Sequence, residues 1–379
     1  MSPINYSKNQ VLWAILMFVT VNALFYFKYA YRLSLIAGIV SVIIYVGFIA
    51  LLLLYWGNIR RFIPNKAAIG LIILSMVACA VALCFVPKEQ FRVDRWEIVE
   101  LFWDSVKQGL YPYSQTIAES GNPPGAMPFY FLLCYPFQYL IGEMGYMPVL
   151  AILIWLSYTY IRHKKDSFSL ITLLMLSSFP LYWEIFTRST IFFNAVLFAL
   201  FVLSLKNFGS MPNRLFYLSA IVGGLLFSTR NVFVLTLVPW GLYVLFVEKV
   251  PFIRCFKWAI CFVAAFAASF LPVILINPSE FFTQNAFIIQ GSFLMPFALV
   301  LVFVLLSAAA FLLCKRFADV VFYGGGILFI TIVGYGVYHL FANGIQAYLD
   351  AQMDISYFLF AFPFLLEVIA DYKPAIKTH

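Results

Sequence analysis

The chain has 379 residues, of which 64% are hydrophobic and 11% charged, whereas about a quarter of the residues of a typical soluble domain are charged. A mean hydropathy of +0.95 therefore excludes an ordinary soluble fold and predicts an integral membrane protein. The net charge of +8 is spread over short loops that offer no extended basic face for a nucleic acid, and the six cysteines have neither disulfide nor metal-ligand spacing.

Apolar segments recur along the whole chain and predict an all-α, polytopic membrane protein with about twelve transmembrane helices in a single domain, 1–379. A bilayer core about 30 Å thick needs roughly 20 mostly apolar residues per helix. The predicted helices cover residues 11–27, 33–56, 67–86, 145–161, 167–182, 190–205, 215–229, 232–247, 259–276, 293–314, 320–341 and 355–370. The first two form a predicted N-terminal pair within 1–66, where we expect no cleavable signal peptide, and the helices of 145–379 follow a long polar segment.

The distribution of basic residues predicts that both termini face the cytoplasm. With the N-terminus inside, most of the 24 Lys and Arg residues fall in cytoplasmic loops, including the RHKK run at 162–165 and Lys377 near the C-terminus. This orientation requires that the apolar run 127–141 does not cross, so we expect it to be a juxtamembrane or re-entrant helix. Short loops of this kind are typical of a bacterial inner (cytoplasmic) membrane protein, although an endoplasmic reticulum protein would be built alike.

The polar segment 87–144 is predicted to be a large outer loop. Within it, residues 94–107 repeat with helical spacing and predict an amphipathic helix that lies on the membrane surface. Its apolar face holds Trp96, Val99, Trp103 and Val106, and its polar face holds Glu97, Glu100, Asp104 and Lys107. Asp94 begins the helix and is a favoured N-cap that Glu97 would reciprocate. The alternative is that Asp94 is a general base held at the boundary of water and lipid.

Two motifs follow this helix, GLYPY at 109–113 and NPPG at 122–125. Their prolines and glycines stop the helix and force a defined, extended turn. The segment is either a rigid linker that returns the chain to the membrane or a loop that contacts a ligand, for example through Asn122. Tyr111 and Tyr113 are likewise either contact residues or aromatic anchors at the membrane interface.

Three potential cations lie at predicted outer ends of helices: Arg188, Arg230 and His339. A charged side chain near the hydrocarbon is costly and usually has a partner. For Arg188 the ordinary partner is Glu184, one turn earlier in the chain. Arg230 has no acid nearby in sequence, so we expect it to meet a phosphate, whereas His339 is either a second such group or a packed histidine beside aromatic rings.

The last two outer loops, 277–291 and 342–354, mix polar side chains with aromatic ones, as a sugar-contacting cleft does, although ordinary exposed loops have this composition too. Their candidate residues are Gln284, Asn285, Gln290 and Asp354. The chain has no P-loop, dinucleotide-binding, zinc-protease or serine-hydrolase motif, so nucleotide-driven transport and those hydrolytic chemistries have no support.

The order of an apolar helix, Asp94, an amphipathic helix ending in GLYPY, and NPPG before the next apolar run resembles the GT-C superfamily of membrane glycosyltransferases. It is most similar to the polyprenyl-phosphate-mannose-dependent mannosyltransferases, and the match covers about residues 90–130, together with Ser-Thr-Arg at 228–230. Two features differ. Three predicted helices precede the loop instead of one, so the pair within 1–66 is an addition, and Asp94 is followed by Arg95 instead of a second acid.

The resemblance implies transfer of a mannose-like hexose from a polyprenyl-phosphate carrier to a hydroxyl of a glycan or glycolipid acceptor of the cell envelope, at the periplasmic face. Asp94 is then the general base of an inverting displacement, and Arg230, Arg188 and His339 bind the donor phosphate. The substrate cleft is assigned to Tyr111, Tyr113, Asn122, Glu184, Gln284, Asn285, Gln290 and Asp354. We expect no metal or other cofactor, since a monophosphate carries less charge than a nucleotide diphosphate.

Two alternatives remain open. A transporter or flippase for a lipid-linked glycan is also polytopic, but such proteins place ionisable residues near the membrane midplane in repeated, broken helices. A polysaccharide polymerase or ligase is the other alternative, and it would be expected to carry its main loop later in the chain and to depend on arginines.

Overall fold

A computed structural model describes residues 4–91, 93–163, 167–293, 295–350 and 353–373, without the side chains of 291–293. These residues contain no β-strand, so the predicted all-α class is confirmed for the described part of the chain. Lys164 and Lys165 of the RHKK run, and Lys377, which the orientation prediction uses, lie outside the described residues.

The α-helices are numbered here in chain order. They are α1 Lys8–Tyr31, α2 Leu35–Leu54, α3 Trp56–Phe62, α4 Asn65–Leu83, α5 Arg95–Lys107, α6 Pro128–Tyr135, α7 Tyr146–Arg162, α8 Phe168–Leu176, α9 Phe179–Phe186, α10 Ile191–Ser204, α11 Asn213–Phe227, α12 Val234–Phe246, α13 Phe252–Ala268, α14 Leu271–Ile276, α15 Pro278–Thr283, α16 Ala286–Phe293, α17 Phe297–Ala310, α18 Phe317–Asn343, α19 Gln346–Leu349 and α20 Phe362–Ile369. A π-helical turn, Pro136–Ile141, extends α6, and a 3₁₀ turn, Ile355–Phe360, precedes α20.

Within the described residues, five helices are long and apolar enough to cross a membrane: α1, α2, α4, α18, and α10 with its 3₁₀ continuation to Ser210. The number rises to seven if each of two bent pairs is one span. All twelve predicted apolar runs are helical over most of their length, but several are short or broken. The chain is therefore a helical membrane protein by these criteria, whereas twelve spans and an outer loop stay predictions.

Proline accounts for part of the shortening. Pro180, Pro272 and Pro363 are each the second residue of a helix, α9, α14 and α20 respectively, directly after a break in an apolar run. Proline is favoured in a first helical turn and is costly in a helix interior, because it lacks the N–H and clashes with the preceding turn, although α12 contains Pro239. At the first of these breaks, α8 and α9 meet at an angle of 61°.

The centre of the bundle is formed by α10, α18 and α20. In the apolar window of α10, 72% of the residues are buried inside the protein, compared with 22% for α2, which lies at the periphery. The helix α1 packs against both α2 and α20, so it joins the N-terminal pair to the central helices.

The run 127–141 is folded sharply against the helix that follows it. Residues Pro128–Ile141 make an angle of 115° with α7, and Gly142, with φ of +83°, ends the π-helical turn. A left-handed φ of this kind is accessible to glycine without steric cost. This geometry is compatible with the predicted re-entrant segment.

Candidate functional site

The helix α5 is held by α6 through its apolar face. Val99 is fully buried, the Phe102 ring stacks on the Phe131 ring with centroids 3.8 Å apart, and the Trp103 indole N–H donates to the Phe131 carbonyl over 3.1 Å. The predicted amphipathic helix and its apolar face are confirmed. Trp96, Trp103 and Val106 of this face are only half-buried, so its contact with the membrane surface stays a prediction.

Asp94 directly precedes α5, and its side chain turns toward the loop that follows the helix. The carbonyl of Asp94 accepts the first helical hydrogen bond, from the Ile98 N–H over 3.0 Å, but its carboxylate makes no capping bond. Oδ2 instead accepts from the Asn122 amide over 2.6 Å and from the Ser120 hydroxyl over 3.3 Å. Two uncharged donors therefore fix a half-buried carboxylate, whose Oδ1 has no hydrogen-bond partner among the described residues.

The NPPG motif connects Asp94 to the segment that contains Arg230. Its first residue, Asn122, binds Asp94, and the carbonyl of its last residue, Gly125, accepts from the Gln290 amide over 2.6 Å. The side-chain Oε1 of Gln290 in turn accepts from the Asn231 N–H over 3.4 Å. These bonds connect Asp94, through Asn122, the motif and Gln290, to the backbone next to Arg230.

The Arg230 guanidinium is half-buried and lies over the Tyr130 ring, with Cζ 5.2 Å from the ring centroid. Its Nε is buried without a hydrogen-bond partner, and among the described residues no carboxylate forms an ion pair with it. A cation that faces only an aromatic ring retains its donors for an anion. This placement is compatible with the predicted phosphate contact.

Arg95 is a residue that the sequence reasoning did not assign to the site. Its guanidinium forms an ion pair with the Asp354 carboxylate, and it lies over the Tyr357 ring at 5.8 Å. Burial alone lowers the pKa of Arg95, but Tyr357 and Asp94 outweigh it and raise the pKa. The only sequence signal was its position next to Asp94, where it stands in place of a second acid.

Arg188 lies apart from these contacts, at the base of the 87–144 segment. Its side chain is 1% exposed and donates to both Glu143 oxygens, over 3.1 Å each, to the Val86 carbonyl over 2.6 Å and to the Phe186 carbonyl over 2.7 Å. It therefore joins the two ends of that segment. The expected ordinary partner, Glu184, is corrected to Glu143, which is distant in sequence and hence invisible to helical spacing.

Glu184 is fully buried, and its Oε2 accepts from the Phe192 N–H at the start of α10 over 3.0 Å. It stabilises that helix start and lies within electrostatic range of Arg95. His339 is half-buried, with its ring 4.6 Å from that of Tyr335, and it contacts the Asn343 amide at 3.3 Å. These contacts are those of a packed histidine.

The tyrosines of GLYPY and the late polar residues bind one another. Tyr111 and Tyr113 are both buried, and their hydroxyls donate to the carbonyls of Gln284 and Ala126 over 2.8 and 2.9 Å. The Gln284 amide donates back to the Tyr113 carbonyl over 2.7 Å. Burial raises the pKa of Tyr111 and of Tyr113. Neither tyrosine is placed as an interfacial anchor, because the hydroxyl of each points into the protein.

Asn285 has a local role, since its side-chain oxygen accepts from the Phe287 and Ile288 N–H groups at the start of α16, over 3.0 and 3.2 Å. Of the predicted site residues, the structure thus brings together Asp94, Asn122, Gln290, Arg230 and Asp354, the last through Arg95. In the part of the chain that the structure describes, no three His, Cys, Asp or Glu side chains are grouped to hold a metal ion.

Comparison of the chain with protein-family models, with curated proteins and with solved structures found no match. The fold and the contacts described above define a helical membrane protein with one polar cluster beside the 87–144 segment.

Proposed function

We propose that the protein is a glycosyltransferase of the GT-C type, which moves a hexose from a polyprenyl-phosphate carrier to an acceptor hydroxyl. The observation that carries this proposal is the Asp94 carboxylate. It is fixed by Asn122 and Ser120, next to one guanidinium and joined through NPPG to the segment of a second, Arg230. The carboxylate does not cap its helix, and its Oδ1 has no hydrogen-bond partner among the described residues.

The chemistry needs one base and one anion site. In a direct displacement, the acceptor oxygen attacks the anomeric carbon while the bond from that carbon to the phosphate oxygen breaks. Asp94 takes the hydroxyl proton, and the electron pair stays on the lipid phosphate, which leaves with greater negative charge. In this proposal Arg230 stabilises that charge, because a guanidinium binds phosphate oxygens through paired donors. Inversion at the anomeric carbon follows from the single displacement.

The membrane arrangement belongs to the same proposal. We infer about twelve spans in an inner membrane, with both termini in the cytoplasm and the 87–144 segment on the periplasmic side. The acceptor is then a glycan or glycolipid of the cell envelope. The sharp bend after 127–141 supports this arrangement, because it permits the segment to enter and leave on one face.

Asp94→Asn tests the base. The substitution keeps the size of the side chain and an oxygen acceptor for Asn122 but cannot take up a proton, so turnover on a polyprenyl-phosphate hexose should fall by about 10²–10⁴-fold. Binding of the carrier should persist, which shows that the variant is folded. Asp104→Asn is the matched control, an exposed acid of the same helix paired with Lys107 at 3.0 Å. Near-normal turnover of the Asp94→Asn variant would remove Asp94 from the chemistry.

The broken pair α8–α9 favours a second candidate, a transporter of a lipid-linked glycan. Discontinuous helices at substrate sites are typical of transporters, and α9 carries the fully buried Glu184. Counterflow of labelled lipid-linked sugar without cleavage of its glycosidic bond would establish transport in place of transfer. A product with many added sugars would instead identify a polymerase.

A further inference from the structure

The ion pair between Arg95 and Asp354 joins two parts of the chain that are 259 residues apart. Its side chains are 16% and 24% exposed, so the pair is reachable from solvent. Asp354 is held from two sides: its Oδ1 accepts from the Ser356 N–H over 2.9 Å, and its own N–H donates to the Tyr335 hydroxyl over 3.2 Å. These two hydrogen bonds fix Asp354 in the orientation in which its carboxylate pairs with Arg95.

Tyr130 lies within electrostatic range of two guanidiniums. Arg230 lies over the ring, and both Arg95 and Arg230 interact electrostatically with the Tyr130 side chain. Arg230 has no carboxylate partner among the described residues, whereas Arg95 is neutralised by Asp354. An anion that enters beside Tyr130 meets one available cation and one that is already occupied.

We propose that Arg95 is a second phosphate-binding cation and that Asp354 occupies its guanidinium until the phosphate of a lipid carrier displaces it. This inference rests on the proposed function and names a residue and an exchange within the same site. A carboxylate and a phosphate present similar pairs of oxygens to a guanidinium, so one can replace the other. Sugar transfer also favours the exchange, because it converts the donor into a lipid phosphate monoester that carries more negative charge and competes better with Asp354 for the Arg95 guanidinium.

Asp354→Asn isolates the exchange. Asparagine is as good an N-cap as aspartate, so the bond from Ser356 is kept while the competing charge is removed. Binding of polyprenyl monophosphate in detergent should become about fivefold tighter, the factor expected when a partly exposed ion pair no longer has to be broken. In an Arg95→Gln background the same change should give no gain, because the cation that Asp354 blocks is then absent.

Asp350→Asn is the matched control. It removes one charge from the same loop, but the exposed Asp350 side chain contacts Gln346 at 3.0 Å. Its affinity for polyprenyl monophosphate should equal that of the wild type. A tighter complex of Asp354→Asn that persists without Arg95 would show a general charge effect, and unchanged or weaker binding would show a structural pair. Either result overturns the inference.

Inorganic phosphate and the unphosphorylated polyprenol separate the head group from the lipid chain. An equal gain with inorganic phosphate supports recognition by the head group alone, and a gain confined to the lipid phosphate supports a carrier that needs its chain. A gain with the polyprenol itself contradicts the exchange. These binding measurements need no sugar transfer, so they test the exchange separately from the transferase proposal. The exchange can be supported even if Asp94→Asn retains turnover, and it can be refuted even if Asp94→Asn loses turnover.

Discussion

Replacing Arg188 by methionine tests whether this buried arginine holds the base of the 87–144 segment. Methionine is of similar length but has no hydrogen-bond donor. The Glu143 carboxylate therefore loses its cation, and the carbonyls of Val86 and Phe186 lose a hydrogen-bond donor. Removal of one partner of a buried ion pair costs about 3–5 kcal/mol. We expect about 3 kcal/mol, because Glu143 remains 15% exposed and keeps its bond from the Gly145 N–H over 2.8 Å.

The free energy of unfolding, measured by denaturant titration in detergent micelles, checks this value. Lys107→Met is the control, since its ion pair with Asp104 is more than half exposed on both sides and should contribute at most about 1 kcal/mol. Glu143→Gln should cost less than Arg188→Met, and the double variant should lose less than the two single losses added together. Wild-type stability of Arg188→Met, with weaker binding of lipid phosphate, would refute the structural role and restore the phosphate role predicted from the sequence.

Two further predictions concern packing and pH. Gly224→Ala should destabilise the protein by about 1–3 kcal/mol, because the added Cβ would lie 2.2 Å from the Phe262 carbonyl oxygen and force α11 and α13 apart. Gly70→Ala is the control, since its Cβ enters open space and the substitution should be neutral or stabilising. Thermal unfolding of both variants tests this prediction. Burial and the nearby Glu119 carboxylate raise the pKa of Glu97, so ionisation opposes folding and stability falls as the pH rises through that pKa. Glu97→Gln should therefore be more stable than the wild type at pH 7 and lose that advantage below about pH 4, and an advantage that grows toward low pH would contradict this reasoning.

Local features of the fold were predictable from the sequence. Each of the twelve apolar runs found by hydropathy is helical over most of its length, whereas the short helices α15, α16 and α19 lie in segments predicted to be loops. Helical spacing identified the apolar face of α5, where Val99 is fully buried. The number of spans was less predictable, because hydropathy does not register the break that a proline such as Pro180 produces. In the candidate site, the expectation that a cation in apolar surroundings has a partner holds for Arg188, which pairs with an acid.

The partners themselves could not be predicted from the sequence. Arg188 pairs with Glu143, 45 positions earlier, and Arg95 pairs with Asp354, 259 positions later. Such contacts depend on how the helices assemble, and no local period encodes them. The role of the GLYPY tyrosines was ambiguous for the same reason, since the carbonyl that accepts the hydrogen bond from the Tyr111 hydroxyl lies in a distant segment of the chain.

The NPPG stretch has a mechanical consequence. Pro123 and Pro124 have φ angles fixed by their rings, and the residues on either side, Asn122 and Gly125, are both anchored by hydrogen bonds. The stretch therefore has fewer backbone conformations available than an ordinary four-residue loop, and it lies between one anchor at Asp94 and another at Gln290. A tilt of the late helices would pull on the Asp94 carboxylate through these bonds, so the acid and the segment of Arg230 are mechanically coupled.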